Sequence, residues 1–298
     1  MASFNSPASE VSIDADLVKQ LLSDQHPDLA DLPVQFASEG WDNAQFLLGK
    51  DLVVRLPLRL ASANLILHEQ RWLGQLAPRL PLPIPVPVRH GRPSDAFGWP
   101  WSICPWVEGQ DALHAPIESS TTAALQMAVF LRALHTAAPL DAPANPFRGV
   151  PLAKRNDLTL SAIVSAEEAG YLTPRQASQV RKLWADAVGA PIHTGQPVWL
   201  HGDLHPGNVI VADDRIVSIV DWGDITSGDP ACDLAILWRM FDAPARAQAL
   251  DALKLDETCL LRTRGWTIAI AMMFLTNSAD RPLYLSIGHR SLNAALEQ

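Results

Sequence analysis

One stretch of this chain restricts its fold more than any other. The polar loop His201-Gly202-Asp203-Leu204-His205-Pro206-Gly207-Asn208 is followed at once by two short apolar runs, Val209–Val211 and Ile216–Val220. Asp213-Asp214-Arg215 joins the runs with turn-forming residues, so the segment reads as two strands preceded by a loop dense in hydrogen-bonding groups. The second strand ends in Asp221-Trp222-Gly223. Most other segments beyond residue 109 are helical in pattern, including one from roughly Ser120 to His135 and one opened by Thr173-Pro174, with N-cap and N1 residues in their preferred places.

The N-terminal third is patterned differently. Asp14 precedes a helix carrying Leu17, Val18, Leu21 and Leu22, which stops before His26-Pro27. Three short strands follow, Val34–Ser38, Phe46–Leu48 and Leu52–Leu56, with turns at Glu39–Asn43 and Gly49-Lys50-Asp51. They predict a small antiparallel sheet. Ser62 is expected to cap a helix reaching about Leu76. Pro81, Pro83, Pro85 and Pro87 alternate with aliphatic residues, which makes that tract extended, either an edge strand or a polyproline segment. A further strand from Trp99 to Val107 leads to Glu108-Gly109, where we place the boundary between an N-terminal lobe (1–107) and a C-terminal lobe (108–298).

Charge and cysteine content narrow the functional classes. The 23 Lys and Arg against 32 Asp and Glu leave a net charge of −9, which opposes non-specific nucleic-acid binding and suits a cationic partner or solubility. The three cysteines, Cys104, Cys232 and Cys259, have neither disulfide-framework nor zinc-site spacing and read as buried free thiols. The first residues lack the basic and apolar runs of a secretory signal, and no apolar stretch approaches the ~20 residues of a membrane-spanning helix. The expectation is a cytoplasmic protein with no membrane association and no obligate protein partner.

The polar loop carries the chemistry. Phosphoryl transfer needs a carboxylate to orient the attacking hydroxyl and take its proton, and hard oxygen ligands for Mg²⁺ on the nucleotide phosphates. Asp203, Asn208 and Asp221 supply those groups and are expected to converge at one hairpin mouth. A cation for the phosphates, pre-oriented by a carboxylate, is also required. Arg55 lies inside an otherwise apolar strand, and Glu69 on the next helix is its natural counter-charge. The turn from Gly40 to Asn43 could close over the phosphates with its backbone amides. Two rival readings use the same residues: Asp and Asn as plain turn formers, and His201, Asp203 and His205 as ligands of a transition metal in a hydrolase.

Three blocks in this order, His201-Gly202-Asp203 through Asn208, Ile219 through Asp224, and Gly228-Asp229-Pro230-Ala231-Cys232-Asp233-Leu234-Ala235, resemble the aminoglycoside phosphotransferases and related small-molecule kinases. The resemblance spans most of the chain. It implies a two-lobed, protein-kinase-like α/β (α+β) fold, with a small antiparallel-sheet N-lobe, a mainly helical C-lobe and the active site between them. It also implies Asp203 as catalytic base, Asn208 and Asp221 as magnesium ligands, and Asp221-Trp222-Gly223 as the counterpart of the kinase Asp-Phe-Gly element. Glu69 resembles the carboxylate that pairs the phosphate-binding cation, which is Arg55 here where kinases usually have lysine. Ile103 through Gly109, with Cys104 and Trp106, looks like the hinge whose backbone binds the nucleobase, and Leu131–His135 matches a helix end common in these kinases. His201, His205 and Asp229 are expected in supporting roles, with Asp229 bracing the catalytic loop.

The implied reaction moves the γ-phosphoryl of ATP or GTP, with Mg²⁺, to a hydroxyl of a small molecule. An aminoglycoside is the first candidate acceptor. The stretch Ser291–Gln298, with one carboxylate side chain, favours another hydroxylated metabolite or a macrolide instead. A non-catalytic nucleotide-binding pseudokinase is the alternative from a different class, argued by Arg55 alone.

Overall fold

Asp14 opens the first helix as its position predicts: its carboxylate accepts from the Leu17 amide at 2.8 Å, and α1 (Ala15–Gln25) buries Val18, Leu21 and Leu22 on one face. The computed structural model describes residues 8–297. They cluster into two units, one comprising the chain up to Gly109 with Ser218–Ile225, the other Gln110–Val217 with the chain from Thr226 onward.

In the first unit β1 (Val34–Glu39), β2 (Asn43–Leu48) and β3 (Leu52–Pro57) form an antiparallel meander, followed by α2 (Leu60–Leu76), β4 (Arg89–Gly91) and β5 (Trp101–Pro105). The sheet order is β1-β2-β3-β5-β4. Phe46, Leu48, Val54, Leu56, Trp101 and Ile103 pack with the apolar face of α1 into one core. Successive strand residues face opposite ways, so Val54 and Leu56 enter that core while Arg55 points from the other face of β3.

The helix expected to start at Ser62 starts earlier. Leu60 N donates to the Glu10 carboxylate at 2.9 Å, and the Ser62 hydroxyl, now inside the first turn, donates to Asp42 Oδ1 at 2.5 Å. The cap comes from a residue fifty positions away. The proline tract stays extended outside the sheet, and its Pro83 carbonyl accepts from Ser218 Oγ at 2.9 Å and Ile219 N at 3.3 Å. These bonds help to fasten Ser218–Ile225 to this unit, although the sequence boundary puts that segment in the C-terminal lobe.

The second unit contains β6 (Gln110–Asp111), α3 (Thr121–Leu134), α4 (Asn156–Glu168), α5 (Pro174–Gly189), β7 (Val198–Leu200), β8 (Val209–Ala212) and the start of β9 (Arg215–Ile219). Beyond Ile225 it continues with β10 (Thr226–Gly228), α6 (Ala231–Leu234), α7 (Ile236–Met240), α8 (Ala243–Leu253), α9 (Glu257–Asn277) and α10 (Pro282–Leu296). Sheets of order β6-β8-β9 and β7-β10 accompany the helices. Asp213 and Asp214 both have positive φ, 48° and 56°, the backbone of a tight hairpin whose twist matches its strands. Thr173 and Gln176 make a complete capping box at the head of α5. Buried Trp184 of α5 joins Trp266, Ile270 and Phe274 of α9 and Leu292 of α10 in the second core. The β7-β10 pair was not apparent in the sequence. Gly228 meets Gly149 there so closely that a Cβ on Gly228 would lie 2.3 Å from the Gly149 carbonyl oxygen. No helix among the described residues is long and apolar enough to cross a membrane.

Candidate active site

Two sets of functional side chains are assembled, one in each unit. In the first, α2 sets Ile66, Glu69, Trp72, Leu73 and Leu76 on its buried face, so Glu69 is an acid in an apolar stripe. Arg55 reaches it from β3. One guanidinium nitrogen, Nη1, donates to both Glu69 oxygens at 2.7 and 2.6 Å, and Nη2 donates to Asp221 Oδ1 at 2.8 Å. Burial works against the Arg55 charge, but Glu69 and then Asp221 outweigh it and hold the guanidinium firmly protonated. The Trp222 amide donates to Glu69 Oε1 at 2.9 Å, which fixes the chain just after Asp221.

Asp221 has φ 59°, a left-handed backbone uncommon outside glycine and often found at functional positions. Its side chain is 42% exposed, and one carboxylate oxygen is taken by Arg55. A Cβ on Gly223 would approach Leu65 Cβ to 2.9 Å, so this three-residue element also needs its small third residue.

The second set lies in the loop between β7 and β8. Its frame is Asp233, which is buried and accepts the backbone amides of His201 at 2.7 Å and Gly202 at 3.0 Å, with His135 Nε2 3.5 Å away. Burial alone would raise the Asp233 carboxyl, but the His135 hydrogen bond and charge and the loop contacts keep it below the usual range. His201 Nδ1 accepts from the Asp203 amide at 3.2 Å, and His205 Nδ1 accepts from the Gly207 amide at 3.0 Å. Asn208 Nδ2 donates to the Asp203 carbonyl at 2.9 Å, which turns the amide oxygen the other way. Arg239 donates to the Leu204 carbonyl.

Asp203 itself is 27% exposed at the side chain, with Arg148 Nη2 3.0 Å from Oδ1 and His205 Nε2 3.6 Å from Oδ2. Burial pushes its carboxyl up, but Arg148, His205, His201 and Arg239 together draw it below the ordinary carboxylate value. It is therefore an anion at neutral pH, oriented by cations and ready to accept a hydrogen bond.

The structure thus brings Arg55, Glu69 and Asp221 together in one unit, and Asp203, Asn208, His201 and His205 together in the other. Asp229 is elsewhere. It pairs with Arg262 Nε at 2.7 Å and accepts from the Ala231 amide at 3.1 Å, so the loop-bracing expected of Asp229 falls to Asp233, one helical turn on. The Gly40 amide closes its own turn on the Asn43 carbonyl at 2.9 Å, and Leu58, Arg59 and Ser62 fasten the turn from outside by donating to the Trp41 carbonyl and to the carbonyl and carboxylate of Asp42. Cys104 is buried in β5 with its thiol pushed up to about 12 by burial, an uncharged packed group. The Trp106 amide donates to the Asp51 carbonyl at 2.8 Å.

Arg148 and Arg239 join the loop although the sequence alone does not single them out. Nothing in the local pattern marks Arg148, whereas an arginine in the apolar run Ala235-Ile236-Leu237-Trp238-Arg239 is a signal of the same kind as Arg55.

Asp203, Asn208 and Asp221 offer hard oxygen donors, which suit magnesium. Within its own unit, the Asn208 amide oxygen is turned away from its Asp203 contact, and in the other unit the Asp221 carboxylate is partly exposed, so each is a donor of the kind that ion takes. The rival transition-metal site fits less well, because the Nδ1 atoms of His201 and His205 are already hydrogen-bonded to backbone amides. No group of three or more His, Cys, Asp or Glu among the described residues has metal-holding geometry.

A family model described as "Phosphotransferase enzyme family" matches residues 33–266. Aminoglycoside 3'-phosphotransferases of Escherichia coli and Salmonella typhimurium are 27% and 26% identical over 181 residues, 59% of this chain. The alignments span 64% of each relative, a little under two thirds of its length. Among solved structures, the GDP complex of wild-type aminoglycoside 2'-phosphotransferase-IIIa superposes with TM-score 0.71 at 22% identity, covering 95% of this chain and 99% of that one. A macrolide 2'-phosphotransferase from Brachybacterium faecium gives 0.64 at 20% identity, covering 94% and 98%. The likeness shows a two-lobed, protein-kinase-like α+β fold.

Proposed function

The chain belongs to the phosphotransferase enzyme family, and on that premise we propose that it moves the γ-phosphoryl group of ATP or GTP onto a hydroxyl of a small molecule. The observation that carries the reading is Asp203: a carboxylate held ionised by Arg148 and two histidines, on a loop whose amides are pinned by a buried acid. In the transfer the acceptor oxygen bonds to the γ-phosphorus and the bond to the bridging oxygen breaks. The nucleoside diphosphate leaves with that electron pair, and the hydroxyl proton passes to Asp203. Magnesium, when bound, supplies charge neutralisation on the phosphates, with Asn208 and Asp221 as its protein ligands.

Arg55, kept in place by Glu69, steadies the phosphates, and its fork of donors replaces the point charge of a lysine. Residues 103–109 receive the nucleobase through their backbone. Nucleotide handling falls to the N-terminal part with the segment around Asp221, and acceptor handling to the helical part. Aminoglycosides and macrolides, named in the relatives, head the acceptors to be screened.

A coupled nucleotide-turnover assay with magnesium and either ATP or GTP, against aminoglycosides, macrolides, amino alcohols, sugars and hydroxy acids, tests the reading. Turnover with at least one acceptor, abolished by Asp203→Ala, is expected. Binding of nucleotide without turnover by any acceptor would point to the pseudokinase instead.

A further inference from the structure

Arg239 of α7 is 2% exposed, inside the run Ala235-Ile236-Leu237-Trp238-Arg239-Met240-Phe241, every member of which is buried. Its Nη1 donates to the Leu204 carbonyl, while no protein acceptor meets Nε or Nη2. Burial pulls the guanidinium down to about 10, and Cys232 and the carboxylates of Asp203 and Asp233 offset only part of that fall. A buried cation with unmade hydrogen bonds opposes folding, and an apolar side chain of similar volume in its place is often neutral or stabilising. Packing alone therefore gives no reason for an arginine at this position.

The loop that bears Asp203 supplies one. Asp233 of α6 accepts the His201 amide at 2.7 Å and the Gly202 amide at 3.0 Å, just before Asp203. Arg239, six positions further along the same buried segment, binds the Leu204 carbonyl just after it. An anion on N–H groups and a cation on a carbonyl thus grip the loop on both sides of Asp203. Within the loop, the Asp203 amide donates to His201 Nδ1, the Gly207 amide to His205 Nδ1 and Asn208 Nδ2 to the Asp203 carbonyl, and none of these three bonds touches the Leu204 carbonyl. That carbonyl belongs to the planar Leu204-His205 peptide, so its direction sets where His205 begins. His205 Nε2 in turn lies 3.6 Å from Asp203 Oδ2.

We propose that Arg239 is a positioning residue of the phosphoryl-transfer loop: it holds the Leu204-His205 peptide so that His205 and the Asp203 carboxylate keep their mutual geometry. Its charge serves this loop rather than the stability of the fold. The proposal rests on the phosphotransferase reading for the step that is served and on the loop geometry alone for the restraint.

Exchange and turnover separate those two supports. Amide hydrogen exchange of the full chain, followed by NMR, is compared in the parent, Arg239→Met and Arg239→Lys, beside kcat and both KM values in the coupled assay with the acceptor turned over fastest. Arg239→Met should match the parent in urea midpoint, because the lost bond and the relieved burial of charge offset each other. Its Asp203 and Gly207 amides should exchange about tenfold faster or more, while those of α5 stay as they are. Its kcat should fall about tenfold or more with both KM values little changed. Arg239→Lys keeps a donor for the Leu204 carbonyl and should recover part of the loss in exchange and in kcat. A methionine variant with parental loop exchange, parental kcat or a lower urea midpoint would overturn the proposal, and so would a lysine variant no better than methionine. A parent that turns over no acceptor would overturn the phosphotransferase reading instead, and loop exchange alone would then decide whether Arg239 holds the loop.

Discussion

Arg55 answers to two acids at once, and the residue scale is where that matters. Nη1 serves Glu69 and Nη2 serves Asp221, so a lysine ammonium at the end of a flexible stem cannot reproduce both contacts. Arg55→Lys is expected to release Asp221 and raise the nucleotide KM about tenfold, a change of ~1.4 kcal/mol. Arg55→Ala leaves Glu69 buried beside no cation and should cost about 3–5 kcal/mol, read as a lower urea midpoint. An alanine variant as stable as the parent would show that Glu69 is neutral in the fold. For Asp203, Asn in place of Asp keeps size and removes the proposed proton acceptor. Steady-state turnover, measured well below the melting temperature, should fall by ~10²–10⁴-fold, and the melting temperature should drop as well because Arg148 loses its charge partner. Residues of this kind were readable in the sequence because each breaks an apolar pattern or sits in a loop dense in hydrogen-bonding groups. Arg148 was not, since its partner Asp203 is fifty-five positions away and no local period announces the pair.

Elements were legible where their ends are specified locally. The Thr173-Pro174 start of α5 is an example: the threonine hydroxyl accepts from the Gln176 amide at 3.2 Å while Gln176 reaches back to the Thr173 amide at 3.1 Å. Thr173→Ala should cost ~1 kcal/mol and Thr173→Ser far less, which equilibrium urea unfolding can resolve. Where an element's end depends on a distant residue, the sequence misleads. Ser62 has the composition of a cap, yet Glu10 supplies the acceptor and α2 begins at Leu60. The three-residue strands β7 and β10 carry too little period to be recognised, and pair because Gly149 and Gly228 permit close approach. Asp229 and Asp233 differ by one helical turn and look interchangeable on the page. Only folding shows that Asp233 faces the loop amides while Asp229 faces Arg262.

For the whole molecule, the charge of −9 acquires a sign in the pH dependence of stability. Asp203 and Asp233 both lie below the ordinary carboxylate value when folded, in each case because cations or hydrogen bonds outweigh burial. A carboxyl with a depressed folded pKa binds fewer protons folded than unfolded near pH 4, so it stabilises the fold above its unfolded value of about 3.9. That contribution is lost as pH falls through the lower folded value. The capping acids Asp242 and Asp256 are shifted in the same direction, each chiefly by hydrogen bonds to its own helix start and a neighbouring hydroxyl. Urea midpoints should therefore hold from neutral pH to about pH 5 and drop steeply below pH 4. Asp233→Asn should be less stable at pH 7 and show a flatter acid limb, because the group whose protonation drives part of the loss is gone. Equal acid limbs for parent and variant would mean that Asp233 titrates alike in both states, and the loop amides would then owe their order to something other than its charge.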